Sequence, residues 1–349
     1  MGGEKNKRKM KQIAFVPPHV SPYCLNDGVF NASENYYFEP YEALKNIAAQ
    51  RSIELHTFDC YSDWALVDTL FMCDMPLFTH LKLWKQIKAF SGEKILALLE
   101  PPVVRERIYR KKHHESFDKV LTWNEELVDN KKYFKLPYFQ YRYGLGTSWV
   151  PYGERKFLTL INSNKRSYAA GELYSARYQA IKYFSNQIPD RFDLFGDGWA
   201  TRPRLMSFST LSRFSLRGYV SDLLQYKVPE TYRGRTQDKF TTLRQYKFAI
   251  CYENMTNVSG YVTEKIMDCF KCGVVPVYWG ANNIADTVPT TCFIDKRRFS
   301  TYSELEEFMS VMTEHEYNDY LMSIRSYLST FDRWPSSPEN WAKAVIKSL

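Results

Sequence analysis

Between Tyr246 and Gly280 the sequence sets two ionisable residues side by side where a helix should begin, Glu264 and Lys265. A lysine ammonium at such a point can neutralise a phosphate oxygen, and the neighbouring carboxylate can accept hydrogen bonds from the two hydroxyls of a ribose. The helix start adds unpaired N–H groups and the positive end of a dipole, both suited to an anion. The same pair on an exposed helix would be an ordinary solvated ion pair, and spacing alone does not choose between the two.

The flanking residues indicate the elements that carry the pair. Tyr246, Phe248, Ile250 and Tyr252 alternate with Lys247, Ala249, Cys251 and Glu253, the period of a strand with one buried face. Glu253 and Asn254 then open a loop of small and polar residues. Val262, Ile266, Cys269 and Phe270 recur at helical spacing, with Glu264, Asp268 and Lys271 opposite, so a helix is predicted from near Thr263. Gly273 is placed to end it, and Val274 to Trp279 reads as a buried parallel strand, a reading that Pro276 weakens. Strand, loop, helix and strand form the unit that, in open α/β sheets, holds ligands beyond the carboxyl ends of the strands.

This segment resembles the donor-binding signature of glycosyltransferase family 10, the inverting α-1,3/4-fucosyltransferases. The matching residues are Tyr252-Glu253-Asn254, Tyr261-Val262-Thr263-Glu264-Lys265 and Val275-Pro276-Val277, with Tyr252 where Phe is usual. The resemblance implies an α/β chain of two Rossmann-like domains facing a cleft, the GT-B type. It also implies GDP-β-L-fucose as donor, with Asn254, Tyr261, Val262, Thr263, Glu264 and Lys265 binding it.

Two further matches lie upstream. An apolar strand from Ile95 to Leu99 ends in Glu100, and Pro101 and Pro102 fix the loop that follows. Read alone, Glu100 is an ordinary loop carboxylate. The family carries its general base in a similar Glu-Ser/Asn-Pro context, so the resemblance implies that role for Glu100, with Pro101 where a small polar residue is more usual. Arg177 falls on a helix predicted from about Gly171 to Phe184, between strands Phe157 to Ile161 and Phe192 to Phe195. Local sequence suits an arginine lying over a helix surface, whereas the resemblance implies a grip on the diphosphate, for which a planar guanidinium fork is well shaped. Lys239 matches, more loosely, a family lysine near the nucleotide.

The chain of 349 residues is long enough for two domains. Residues 1–145 are expected to form an acceptor-binding domain that holds the base, and residues 154–349 the donor domain, joined by the Gly-rich stretch from Tyr143 to Gly153. Strands are predicted at Ile13 to Val16, Glu54 to Phe58, Leu70 to Met72 and Val120 to Trp123, and a helix near Pro40 to Ala49. Trp199 to Lys239 reads as loops. Helices are predicted near Ser303 to Met312 and Glu316 to Thr330, and the last helix, ending at Leu349, is expected to cross back to the first domain. Acceptor identity has no decodable motif, although Tyr23, Phe30, Tyr36, Tyr37 and Phe38 are available to line a sugar site.

A net charge of +8 suits an anionic nucleotide-sugar or an acidic membrane surface. Nucleic acid as a partner is not expected, because the basic residues are spread along an α/β pattern without a nucleic-acid-binding signature. Seven cysteines, odd and scattered, argue against a disulfide framework, and the lone Cys269-Phe270-Lys271-Cys272 pattern reads as buried thiols. Two of three sequons, at Asn254 and Asn257, fall in the proposed donor loop, where a glycan would obstruct it. No stretch approaches the ~20 apolar residues of a membrane span. The expectation is a cytoplasmic protein with scope for peripheral contact at the inner membrane face, acting on an oligosaccharide or lipopolysaccharide acceptor of N-acetyllactosamine type. No two aspartates are separated by one residue, so no Asp-x-Asp metal site is expected, no cofactor is required, and fixed cations replace the metal.

Overall fold

A computed structural model describes residues 10–206 and 213–349, with the side chains of residues 213–215 outside the description. Six parallel strands form the first sheet: β1 (Lys11–Val16), β2 (Ile53–Thr57), β3 (Thr69–Cys73), β4 (Glu93–Leu98), β5 (Lys119–Thr122) and β6 (Tyr133–Lys135). Their order is β2-β1-β3-β4-β5-β6, with every pairing parallel. The apolar runs of β1, β3 and β4 suit strands covered on both faces. Helix α1 (Glu39–Gln50) covers one face, and α2 (Leu81–Ala89) the other, through Leu83 and Ile87. Two four-residue helices, α3 (Pro102–Arg105) and α4 (Lys111–His114), follow β4.

The second sheet takes β7 (Lys156–Ile161), β9 (Phe192–Phe195), β11 (Tyr246–Tyr252), β12 (Val275–Trp279) and β13 (Ile294–Asp295) in the order β13-β12-β11-β7-β9, again all parallel. Between β7 and β9 lie β8 (Lys165–Arg166), which pairs with β10 (Arg204–Leu205), and helix α5 (Tyr174–Gln187). Helices α6 (Arg213–Gln225), α7 (Lys239–Leu243), α8 (Glu264–Lys271), α9 (Tyr302–Val311), α10 (Glu314–Leu328) and α11 (Pro338–Ser348) complete the chain.

Several local expectations meet the structure closely. Thr263 caps α8, its Oγ1 accepting the Lys265 N–H at 3.4 Å. Gly273 follows the helix at φ +66°, a left-handed conformation that glycine adopts without cost. Pro276 is tolerated because it pairs only with β11 at Ala249; β13 joins β12 from the next residue on, at Val277 and Tyr278.

Others need correction. The stretch from Trp199 to Lys239 is not all loop: it contains β10 and the 13-residue helix α6, whose Leu216, Val220 and Leu224 recur at helical spacing but stay exposed, and among its described side chains none is buried. Helix α5 begins at Tyr174 and not Gly171, which sits in a turn at φ +75°. Helix α2 and strand β6 were not anticipated.

Two structures tie the halves together. Helix α11 lies on the first sheet: Trp341, Val345 and Ile346 share a core with Ile13, Phe15, Tyr41 and Leu44. Where the chain passes from one half to the other, Arg142 meets Glu39 at 3.0 Å, Asp332 at 2.9 Å and Glu339 at 2.6 Å, joining α1, the 331–333 turn and α11.

Candidate active site

A cleft of about 530 Å³, measured to its open mouth, lies at the carboxyl ends of β7 and β11. These two strands are the switch point of the second sheet, since the connection from β7 runs outward to β9 and the later strands run the other way. Leu160, Ile161, Leu243, Ala249 and Ile250 give it an apolar wall; Asn162, Arg177, Lys239, Lys265 and Asp268 give it polar groups.

The loop after β11 is organised by a carboxylate to which sequence reading gave no role. Glu253 is fully buried and accepts the Thr263 N–H at 2.8 Å, the Thr263 Oγ1–H at 2.7 Å and a Lys265 ammonium proton at 3.1 Å. Burial alone would depress Lys265, but Glu253 and then Glu264 raise it above the ordinary lysine value. Lys265 is thus a fixed, fully charged cation and not a free one. Glu264 sits beside it at 3.8 Å; although burial opposes its ionisation, Lys265 and Lys239 hold its carboxyl below the usual range.

Arg177, on the first turns of α5, is buried, and its Nη2 donates to the carbonyls of Tyr252 (2.9 Å) and Glu253 and to Asn254 Oδ1 (2.9 Å). Asn254 therefore positions the guanidinium. Lys239 pairs with the buried Asp268 carboxylate, which also accepts the Tyr141 hydroxyl at 2.6 Å, and reaches Tyr37 Oη at 3.2 Å. Tyr37 is the one member of the aromatic group expected at a sugar site that touches a cleft residue in this way; Phe30 belongs to the core of the first sheet, and Tyr36 stacks on Tyr143. Tyr261 and Val262 point elsewhere: Tyr261 is buried against Trp123, ring centroids 4.5 Å apart, and Val262 lines a separate crevice with Trp123 and Met267.

Opposite, Glu100 lies just beyond the carboxyl end of β4. Its N–H and that of Leu99 donate to Asp74 after β3, at 3.1 and 2.8 Å, and its carbonyl accepts the Tyr109 hydroxyl at 2.8 Å. Burial raises the Glu100 carboxyl above its ordinary value; Lys265 is the strongest influence that opposes this, and Glu264 adds to it. Glu100 and the Glu264–Lys265 pair thus share one electrostatic environment. Lys165, on β8, shares it too: burial depresses its ammonium, Glu100 supports it, and Arg204, Arg177 and Lys265 repel it. Lys165 and Asp74 carry no sequence signal, because only the tertiary arrangement brings them there. The one His, Cys and carboxylate cluster found among the described residues, Asp27, His56 and Cys60, lies at edge strand β2, where Lys45 already pairs with Asp27.

Residues 219–338 match the family model of the glycosyltransferase family 10 (fucosyltransferase) C-terminal region. That match covers about a third of the chain. Proteins to which the chain is similar include the alpha-(1,3)-fucosyltransferase FucT of Helicobacter pylori, 34% identical over 102 residues, which are 29% of this chain and 20% of that protein. GDP-fucose protein O-fucosyltransferase 3 of Rattus norvegicus is 31% identical over 120 residues, 30% of this chain and 24% of that protein. The matched stretch thus spans less than a quarter of either relative. A solved alpha1,3-fucosyltransferase with GDP-fucose superposes with a TM-score of 0.51 at 16% identity, over 95% of this chain and 93% of that one. At that identity the superposition speaks for the fold alone, and the fold is GT-B. Among the described residues no helix is long and apolar enough to cross a membrane.

Proposed function

We propose that this chain transfers L-fucose from GDP-β-L-fucose to a hydroxyl of a GlcNAc-containing glycan, with inversion. Residues 1–145 would supply the acceptor side and the base, and residues 154–349 the donor side. The observation that carries the reading is a raised, partly buried carboxylate, Glu100, that shares its electrostatic field with Lys265 and Lys165, while Lys265 and Arg177 line the cleft at the switch point of the second sheet.

The chemistry follows from that placement. As the acceptor oxygen forms its bond to the anomeric carbon, Glu100 takes the hydroxyl proton, and the bond to the β-phosphate oxygen breaks on the opposite face. GDP departs as a diphosphate whose charge is met by Arg177, Lys265 and the N-terminus of α8, with Lys165 adding to them. Glu264 faces the ribose hydroxyls. In this reading the charge comes from fixed side chains without a divalent metal, in the cytoplasm at the inner face of a membrane that presents the acceptor.

A second acceptor class is favoured by the similarity to a protein O-fucosyltransferase, namely a Ser or Thr hydroxyl of a polypeptide. The deciding experiment is GDP release from GDP-fucose in EDTA, with N-acetyllactosamine, lactose or a Ser/Thr-containing folded domain as acceptor. Glycan-dependent release in EDTA is the expected result. Release with the polypeptide alone selects the second acceptor, and turnover that appears only on adding manganese or magnesium overturns the fixed-cation account. Glu100→Gln should lower kcat by about 100-fold or more while donor affinity barely changes. Retained activity would move the base elsewhere, with Glu115, Glu125 and Glu126 the residues to test.

A further inference from the structure

Helix α2 presents its buried face, Leu83 and Ile87, to the first sheet, leaving Leu81, Lys82, Lys85 and Lys88 exposed. At its N-terminal end Leu77, Phe78 and Leu81 are 60%, 50% and 75% exposed, an apolar tip on a surface otherwise charged. Phe78 stacks on Trp84 with ring centroids 5.9 Å apart, and lies 6.4 Å from the His113 ring and 5.8 Å from the Arg107 guanidinium. The α2 face and the Arg107–His113 stretch are therefore one continuous surface.

Its charge is one-sided. Residues 77–92 and 105–114 hold eight Lys or Arg against a single acidic residue, Glu106, in a chain of net charge +8. Glu106 lies 3.5 Å from Arg110, while Lys82, Lys85, Lys88, Lys111 and Lys112 have no carboxylate within ion-pair distance among the described residues. His113 registers the crowding: burial, then Lys112, Arg110 and Arg107, hold it below the ordinary histidine value.

We propose that this surface docks on an anionic phospholipid bilayer. Exposed Leu and Phe at the tip of a lysine-rich helix face are what an acyl–headgroup boundary accepts, the apolar tip entering it while the ammonium groups meet lipid phosphates. The lysines are long enough to bury their stems and keep their charge in the headgroup layer. A folded protein partner of matching size would instead favour aromatic and Arg contacts with few Lys. Docking also orients the site. Leu77 and Phe78 lie in the loop after β3 that contains Asp74, and Tyr109, between Arg107 and Arg110, holds the Glu100 carbonyl. The carboxyl edge that carries Glu100 is then the edge nearest the bilayer, where a lipid-linked acceptor would be presented. Bilayer binding does not depend on the fucosyl-transfer reading, and loss of either leaves the other standing.

The test is co-sedimentation of the full chain with vesicles of phosphatidylcholine alone and with about one third phosphatidylglycerol, at low and high salt. Binding to the anionic vesicles only, weakened by salt, is expected. Three lysines contribute about a factor of 100 in partitioning, so K82E/K85E/K88E should lose at least that much. Leu81→Ser tests the apolar tip without changing charge and should weaken binding while leaving the salt dependence. All four side chains are exposed, so an unchanged melting temperature confirms that the variants fold. Equal binding to both vesicle types, no binding to either, anionic binding unchanged in the triple variant, or binding to duplex DNA or an acidic protein with none to vesicles would each overturn the proposal.

Discussion

The residue with the most unusual environment at the site is Asp74. It is buried, sits at φ +57°, and spends its carboxylate on the N–H groups of Leu99 and Glu100. Burial lifts it from 3.8 to about 7, with Glu100 adding and the Leu99 N–H and Arg105 opposing. Between the unfolded and folded values the native chain keeps a proton that the unfolded chain has released, so this group's contribution to stability is complete below pH ~4 and is lost as pH rises through ~7. Asp74→Asn keeps an accepting oxygen, tolerates the left-handed backbone and cannot ionise. Chemical denaturation should therefore show the wild type losing stability relative to this variant by up to about 4 kcal/mol from pH 4 to 8. A difference that stays flat with pH would make Asp74 an ordinary ionised carboxylate. Sequence could not have found it, because Asp74 and Glu100 are neighbours only through the pairing of β3 with β4. Glu100, Arg177 and the Glu264–Lys265 pair were legible because their motifs are contiguous, whereas the roles of Glu253, Lys165 and Asp268 rest on contacts between separate elements.

At the scale of elements, patterns with one clean buried face were readable and the rest were not. Strand β11, helix α8 and strand β12 show alternation, helical spacing and an apolar run in turn, and each lies within a residue or two of its predicted bounds. Helix α6 hides from such reading because its Leu216, Val220 and Leu224 are exposed, and β6 because three residues are too few to show a period. The loop from Asn254 to Thr263 depends on a close approach that only the fold reveals. Gly260 has φ +86°, and a Cβ there would lie 2.2 Å from the Trp123 carbonyl oxygen at the end of β5. Its N–H donates to Asn283 at 2.9 Å, which in turn donates to Glu125 at 3.1 Å. Gly260→Ala should cost about 1–3 kcal/mol in strain and push the donor loop away from the first sheet. Thermal unfolding together with GDP calorimetry would read both effects; a variant unchanged in both would mean that the contact at Trp123 yields freely.

For the whole molecule, the last helix completes the first half and not the second. Trp341 packs edge-on against Tyr41 and Phe139, with ring centroids 5.8 and 5.4 Å away, and is fully buried. Trp341→Ala should therefore destabilise the first sheet by about 3–5 kcal/mol, and hydrogen exchange should show the loss in β1 and α1 ahead of β11 and β12. Loss confined to the second sheet would contradict this assignment. The sequence by itself determined the α/β class, the parallel strands, and the contiguous motifs with the family they resemble, because hydrophobic period and short-range spacing are written along the chain. Only the tertiary structure decided that Lys265 is held by Glu253, that Tyr261 packs between the halves, and that Glu100 shares its field with Lys165 and Lys265. Those facts depend on which distant side chains are excluded from water together, and burial and charge act across space without regard to separation along the chain.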